Sequence, residues 1–186
     1  MMFSRILFRQ AQVLLIIIIL FIILCFVNVE TNKSLNLLLG IHPRNYWSLI
    51  VGIPCSWLVH NSWSHLWKNL IPFIMFGMIA CSKTNIIRLI SFCIIVGGIG
   101  TWLFSPDNTV TVGSSVVIYG FYGWTLFFGL IHRNILWFLI SIITIYYTNH
   151  YLYGLFTLNN SNPAWLVHLF GFIGGFLGSS GGRMDE

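Results

Sequence analysis

The sequence predicts an all-α membrane protein, a bundle of six transmembrane helices forming one domain over residues 1–186. Three observations predict it. The chain is 57% hydrophobic and only 7% charged, with a mean hydropathy of +0.85; soluble domains carry about a quarter charged residues, so this chain cannot cover its surface with water-facing groups. Apolar runs recur along its whole length, separated by short polar or turn-forming stretches. Its acidic residues, Glu30, Asp107, Asp185 and Glu186, all lie outside those runs.

The first run, Val13 to Val29, follows Arg5 and Arg9. It lacks the small-residue cleavage site of a signal peptide and is dense in isoleucine, so it reads as a retained span. Residues 30–63 mix Asn, Ser, Lys33, Pro43, Arg44 and Pro54 with several Trp and Leu. That stretch is too broken for a span and suits the membrane interface. The second span is expected over about 64–80. The third covers about 86–104 and ends at the turn-forming Ser105-Pro106-Asp107-Asn108. The fourth runs from about Gly113 to Ile131, closed by His132-Arg133-Asn134. The fifth covers about 135–147, ahead of Thr148-Asn149-His150, and the sixth about 164–177, after Asn159-Asn160-Ser161-Asn162-Pro163.

Charge sets the orientation. Arg5, Arg9, Lys83, Arg88, Arg133 and Arg183 fall at ends that six crossings with a cytosolic amino terminus place inside. Lys33, Arg44 and Lys68 fall on the other side. The excess agrees with the positive-inside tendency, so both termini are expected in the cytosol. No basic cluster interleaved with aromatics appears, which argues against nucleic acid as a partner. Cys25, Cys55, Cys81 and Cys93 show no paired-ligand spacing and read as packing residues. No cofactor or metal is expected.

With this topology the second, fourth and sixth spans all start on the outer side. His65 and Asn69, Ser115, and His168 then lie at a similar shallow depth below the outer face. Polar groups inside a membrane are costly and point into the bundle. Taken singly, a serine here is packing glue bonded to its own helix, and a histidine is a capped core residue. Taken together they suit one another: a hydroxyl becomes a nucleophile when an imidazole removes its proton. Gly171 and Gly175 follow His168 at i+3 and i+7, baring one face for close helix approach. Tyr119 and Gly123 follow Ser115 at i+4 and i+8, so contact between the two faces would set Tyr119 beneath the imidazole. His65 and Asn69 share one helical face and offer two donors suited to an oxyanion, joined by the Ser115 backbone N–H. His60 is expected near the interface, rotated away, in a structural hydrogen-bonding role. A zinc site is the rival reading of these histidines; it lacks HExxH and a nearby acidic ligand.

The ordered set His60-x4-His65-x3-Asn69, Gly113-x-Ser115 and His168-x2-Gly171-x3-Gly175 resembles the rhomboid family of intramembrane serine proteases. Gly52-Ile53-Pro54, Trp63-x-His65-Leu66 and Ala164-Trp165-Leu166-Val167-His168-Leu169 resemble it too, so the likeness covers roughly residues 40 to 180. The resemblance implies a Ser115–His168 dyad without a carboxylate and an oxyanion hole lined by His65 and Asn69. It gives supporting roles to His60, Tyr119, Gly113, Gly171 and Gly175. It also implies single-span membrane-protein substrates cut in or near the span, within a lipid bilayer. The chain departs from the family's habit at Val116, where Gly commonly follows the nucleophile, and at Trp47-Ser48, where a Trp-Arg pair is common. An inactive relative that only binds membrane helices usually loses the serine or histidine. A transporter would need acidic residues or broken helices at depth. A bacterial plasma membrane is the expected location, because the sequence reads as a bare core without presequence.

Overall fold

A computed structural model of the chain describes residues 2–156 and 164–180. It is nearly all helical, and its long helices coincide with the six apolar runs: α1 (Met2–Glu30), α4 (Trp63–Cys81), α5 (Ile86–Phe104), α6 (Ser115–Ile131), α7 (Ile135–Phe156) and α8 (Ala164–Gly178). Between α1 and α4 lie a short α2 (Ser34–Leu39) and α3 (Ser48–Leu58), which passes from π through α to 3-10 geometry. Among the described residues, α1, α5 and α7 are long and apolar enough to cross a membrane by length and composition; α6 and α8 are shorter apolar helices.

The centre of the bundle is α6. Its residues from Val116 to Thr125 are all buried, and it packs against α4, α5, α7 and α8. A helix apolar on every side belongs inside a bundle, and this one also carries Gly120 and Gly123, which let its neighbours come close. By contrast α1 buries a single stripe, Gln10, Leu14, Phe21, Cys25 and Asn28, at helical spacing against α4. Its other faces expose isoleucine and leucine, as a lipid-facing helix should. An amide side chain fastens each end of that stripe. Gln10 donates to the Cys81 carbonyl (2.8 Å) and accepts from the Ile86 N–H (2.6 Å). Asn28 donates to the His60 carbonyl (3.0 Å) and accepts from Leu35 N–H (3.0 Å).

Two helices run further than their apolar runs. In α1 the helix begins well before Val13, because Arg5, Arg9 and Gln10 are good helix formers. In α7 the polar Thr148-Asn149-His150 is a kink inside the helix: Thr148 leaves helical geometry (φ −126°, ψ 29°) and the helix resumes to Phe156. The Thr148 hydroxyl donates to the Thr144 carbonyl, a local bond that bends helices.

The polar stretch before α4 is tied down over the carboxyl end of α5 and the segment leading into α6. Ile41 and Thr111 exchange both backbone hydrogen bonds as an isolated antiparallel bridge (3.0 Å each). Arg44 pairs with Asp107 and donates to the Leu103 (3.1 Å) and Ser105 (2.8 Å) carbonyls. Trp102 donates through Nε1 to the Asn45 carbonyl (2.8 Å). Thus Arg44 anchors this connection, while Ser48, second in the Trp47-Ser48 pair, is buried and accepts from His42 N–H (2.9 Å). The expected polar segment Asn159–Asn162 and the topological charge Arg183 lie outside the described residues.

Candidate active site

The nucleophile candidate stands at the start of α6, on a turn only glycine can make. Gly113 has φ +121°, in the left-handed region, and its N–H donates to the Ser56 carbonyl (3.0 Å). A Cβ there would lie 2.7 Å from His65 Cε1 and 2.9 Å from His65 Nε2. The turn therefore passes directly over the His65 ring. Ser114 precedes the helix, and its carbonyl accepts from both Val117 and Ile118 N–H (3.0 Å each). The N–H groups of Ser115 and Val116 are in the first turn, where no intrahelical carbonyl reaches them.

His65 and Asn69 rise from the first two turns of α4, whose amino end is capped by Ser62 accepting from His65 N–H (3.1 Å). Asn69 Nδ2 donates to the His65 carbonyl (3.1 Å), which fixes the amide along the helix and leaves its second proton for a ligand. The His65 Nδ1 accepts from the Asn61 N–H (3.4 Å). His168 comes from α8. Its ring lies flat on Tyr119, with centroids 4.0 Å apart and planes 12° apart, and its Nδ1 sits 3.4 Å from the Gly154 carbonyl of α7. Tyr119 is held in turn by an edge contact with Tyr151 (5.3 Å).

Ser115, His168, His65 and Asn69 all line one open cavity of about 600 Å³, together with Asn61, Thr109, Thr111 and Val167. The residues from three helices expected at one depth do share one space. Among the described residues no hydrogen bond joins Ser115 to His168. Among the described residues no three His, Cys, Asp or Glu side chains converge as a metal site would require.

The glycines of α8 set the approach of α8 to α6. A Cβ on Gly171 would lie 2.3 Å from the Val116 carbonyl oxygen, and one on Gly175 would lie 1.7 Å from that of Gly120. Backbone meets backbone there, one turn and two turns below the dyad candidates. Val116, in the position where the family commonly has glycine, sets its side chain against α5: its Cγ2 lies 2.2 Å from where a Gly97 Cβ would be.

His60 stands on the segment just before α4. It is fully buried, and its Nε2 is 3.1 Å from Ser114 Oγ. Its ring meets those of Phe21 (5.0 Å) and His65 (5.2 Å). Burial, and next the nearby His65, push its pKa down to about 3, so it is neutral. The Ser114–His60 pair ties the nucleophile's turn to the segment before α4. Nothing at Ser114 signals this in the sequence, since a serine before a helix usually caps it; here the hydroxyl makes no cap.

A helical membrane bundle with a serine, a histidine and two side-chain donors facing one cavity defines the class. The rhomboid domain family matches residues 43–181, and the chain belongs to the rhomboid family. It is 31% identical over 142 residues to "Putative rhomboid protease YdcA" of Bacillus subtilis (strain 168), an alignment covering 75% of this chain and 68% of that protein. It is 28% identical over 133 residues to "Uncharacterized protein Rv1337" of Mycobacterium tuberculosis (strain ATCC 25618 / H37Rv), covering 67% of this chain and 55% of that one. A Mycobacterium leprae protein, "Uncharacterized protein ML1171", is 29% identical over 133 residues, covering 67% and 53%. The chain thus spans little more than half the length of its mycobacterial relatives. No solved structure matches it significantly.

Proposed function

We propose that the chain is an intramembrane serine endopeptidase that cuts the membrane spans of other proteins with a Ser115–His168 dyad. The carrying observation is the single cavity that receives Ser115, His168, His65 and Asn69 from three different helices. Ser115 Oγ attacks the scissile carbonyl carbon while His168 Nε2 takes the hydroxyl proton. The carbonyl oxygen becomes an oxyanion met by His65, Asn69 Nδ2 and the Ser115 N–H, donors already fixed before substrate arrives. The tetrahedral intermediate collapses, the C–N bond breaks, and His168 returns its proton to the departing amine. Water then attacks the acyl ester with His168 again as base, releasing the second fragment and restoring Ser115. Dyad contacts that are long at rest and close on substrate binding are common in hydrolases, so the unbonded Ser115–His168 pair fits this reading.

A regular helix hides its carbonyls, so the substrate span must unwind locally at the cleavage point. Thr109 and Thr111 in the cavity lining supply a polar path for water. The site faces the outer side, with both termini cytosolic, in a bacterial plasma membrane; the basic residues at the inner ends and the bacterial relatives support this. The second reading, a binder of membrane helices without activity, draws on the same unbonded pair. Reconstitution in liposomes with a single-span reporter protein carrying a small residue next to a glycine-proline break separates them. Two reporter fragments, absent with Ser115→Ala, are expected; an intact reporter beside an active rhomboid control contradicts the protease reading.

A further inference from the structure

A neutral histidine has one donating and one accepting ring nitrogen, and which is which is settled when either meets a group whose polarity cannot reverse. A backbone N–H only donates and a backbone carbonyl only accepts. The two histidines facing the cavity each meet one such group at Nδ1, and the two groups are of opposite kind. His65 Nδ1 accepts from the Asn61 N–H (3.4 Å), so its proton is on Nε2. His168 Nδ1 faces the Gly154 carbonyl (3.4 Å), so it carries the proton there and leaves an Nε2 lone pair.

We infer that the main chain at Asn61 and Gly154 holds the two cavity histidines in opposite neutral tautomers, making His65 a donor through Nε2 and His168 an acceptor through Nε2. Asn61 and Gly154 are then positioning residues acting through backbone atoms. The placement of the rings fits. His65 Nε2 is directed at the turn before Ser115, 2.9 Å from where a Gly113 Cβ would stand. The His168 ring is stacked on Tyr119, and stacking alone tolerates a flip of the ring about its own axis. The Gly154 carbonyl is the contact that distinguishes the two flipped states.

The consequence for chemistry rests on the protease reading. When His168 takes the Ser115 proton on Nε2, both ring nitrogens carry hydrogen. The Nδ1–H bond to Gly154 then becomes charge-assisted. A carbonyl dipole stands where a Ser-His-Asp triad puts a carboxylate. His42 and His132 each meet a carbonyl, of Leu37 and Ser179, through Nε2 (2.9 Å each). His168 differs from both in meeting its carbonyl through Nδ1.

The test is nitrogen-15 NMR of the full chain in lipid nanodiscs, with ring-labelled histidine at mildly alkaline pH. Signals are assigned by their loss in His65→Ala and His168→Ala. The expected spectrum shows His168 as Nδ1–H and His65 as Nε2–H. Either ring in the other tautomer, or averaging between the two, overturns the inference. An amide-to-ester replacement at Leu155 weakens the Gly154 carbonyl as an acceptor and keeps every side chain. It is expected to mix the His168 tautomers, leave His65 unchanged, and slow fluorophosphonate labelling of Ser115 roughly five-fold. An unchanged His168 tautomer in the ester overturns the role of Gly154. A protein with both tautomers as assigned but no labelling sinks the protease reading alone; a labelled protein with the wrong tautomer sinks this one alone.

Discussion

The two sides of α6 are built differently. Toward α8 the contact is backbone against backbone, with Gly171 over the Val116 carbonyl and Gly175 over that of Gly120. Toward the carboxyl-terminal half of α7 it is side chain against side chain: Tyr119 and Tyr122 meet Tyr151 at 5.3 and 5.6 Å, beyond a kink at Thr148. Protein interiors transmit strain where no flexible atoms intervene. The first seam therefore fixes the spacing of the helices that carry Ser115 and His168. The second orients the His168 ring through groups that have room to adjust.

If this contrast is right, the largest loss comes from the first seam. Alanine at Gly175 gains about 1 kcal/mol of helix propensity, yet its methyl would stand 1.7 Å from a carbonyl oxygen that cannot move alone. Gly175→Ala is expected to cost about 3 kcal/mol, seen as a lowered thermal midpoint in detergent together with lost activity. A Gly175→Ala protein as stable as the parent would break the comparison.

Next comes the junction with α5. Gly97→Ala would collide with Val116 Cγ2 and is expected to cost about 2 kcal/mol. Val116→Ala removes that atom. In a double-mutant cycle the pair should therefore recover at least about 1 kcal/mol relative to the sum of the single changes. Additive costs would mean that the Val116 volume is not what Gly97 accommodates.

The smallest effect belongs to the α7 side. A Cβ on Gly154 would lie 2.0 Å from the Tyr119 hydroxyl, the far end of a side chain, and 3.1 Å from the next ring atom. Gly154→Ala is expected to cost about 1 kcal/mol, with most of it recovered in Gly154→Ala/Tyr119→Phe. A loss as large as that of Gly175→Ala would erase the difference between the two seams.

This contrast was only half legible in the sequence. Gly171 and Gly175 stand at helical spacing beside His168, so the bare face of α8 could be read directly. Its contacts on α6 could not, because a one-dimensional pattern does not say which carbonyl a glycine meets. The six helical stretches followed from the apolar runs. The resumption of α7 past Thr148-Asn149-His150 did not, since polar residues inside a helix and a true break look alike in composition. The burial of His60 is not legible for a similar reason: burial of an imidazole depends on a partner, and Ser114 is one only after α6 folds against α4. The contacts of Arg44 with Ser105 and Asp107, and of Val116 with Gly97, join positions far apart along the chain. Such contacts need the fold to be seen.

The most direct measurement of the central claim is reaction of the intact, detergent-solubilised protein with a fluorophosphonate probe, followed by mass mapping of the adduct. The account predicts one adduct, on Ser115, that disappears in both Ser115→Ala and His168→Ala while His60→Asn retains it if folded. A folded protein that stays unmodified beside a labelled rhomboid control, or an adduct on Ser114 in its place, would contradict an activated Ser115.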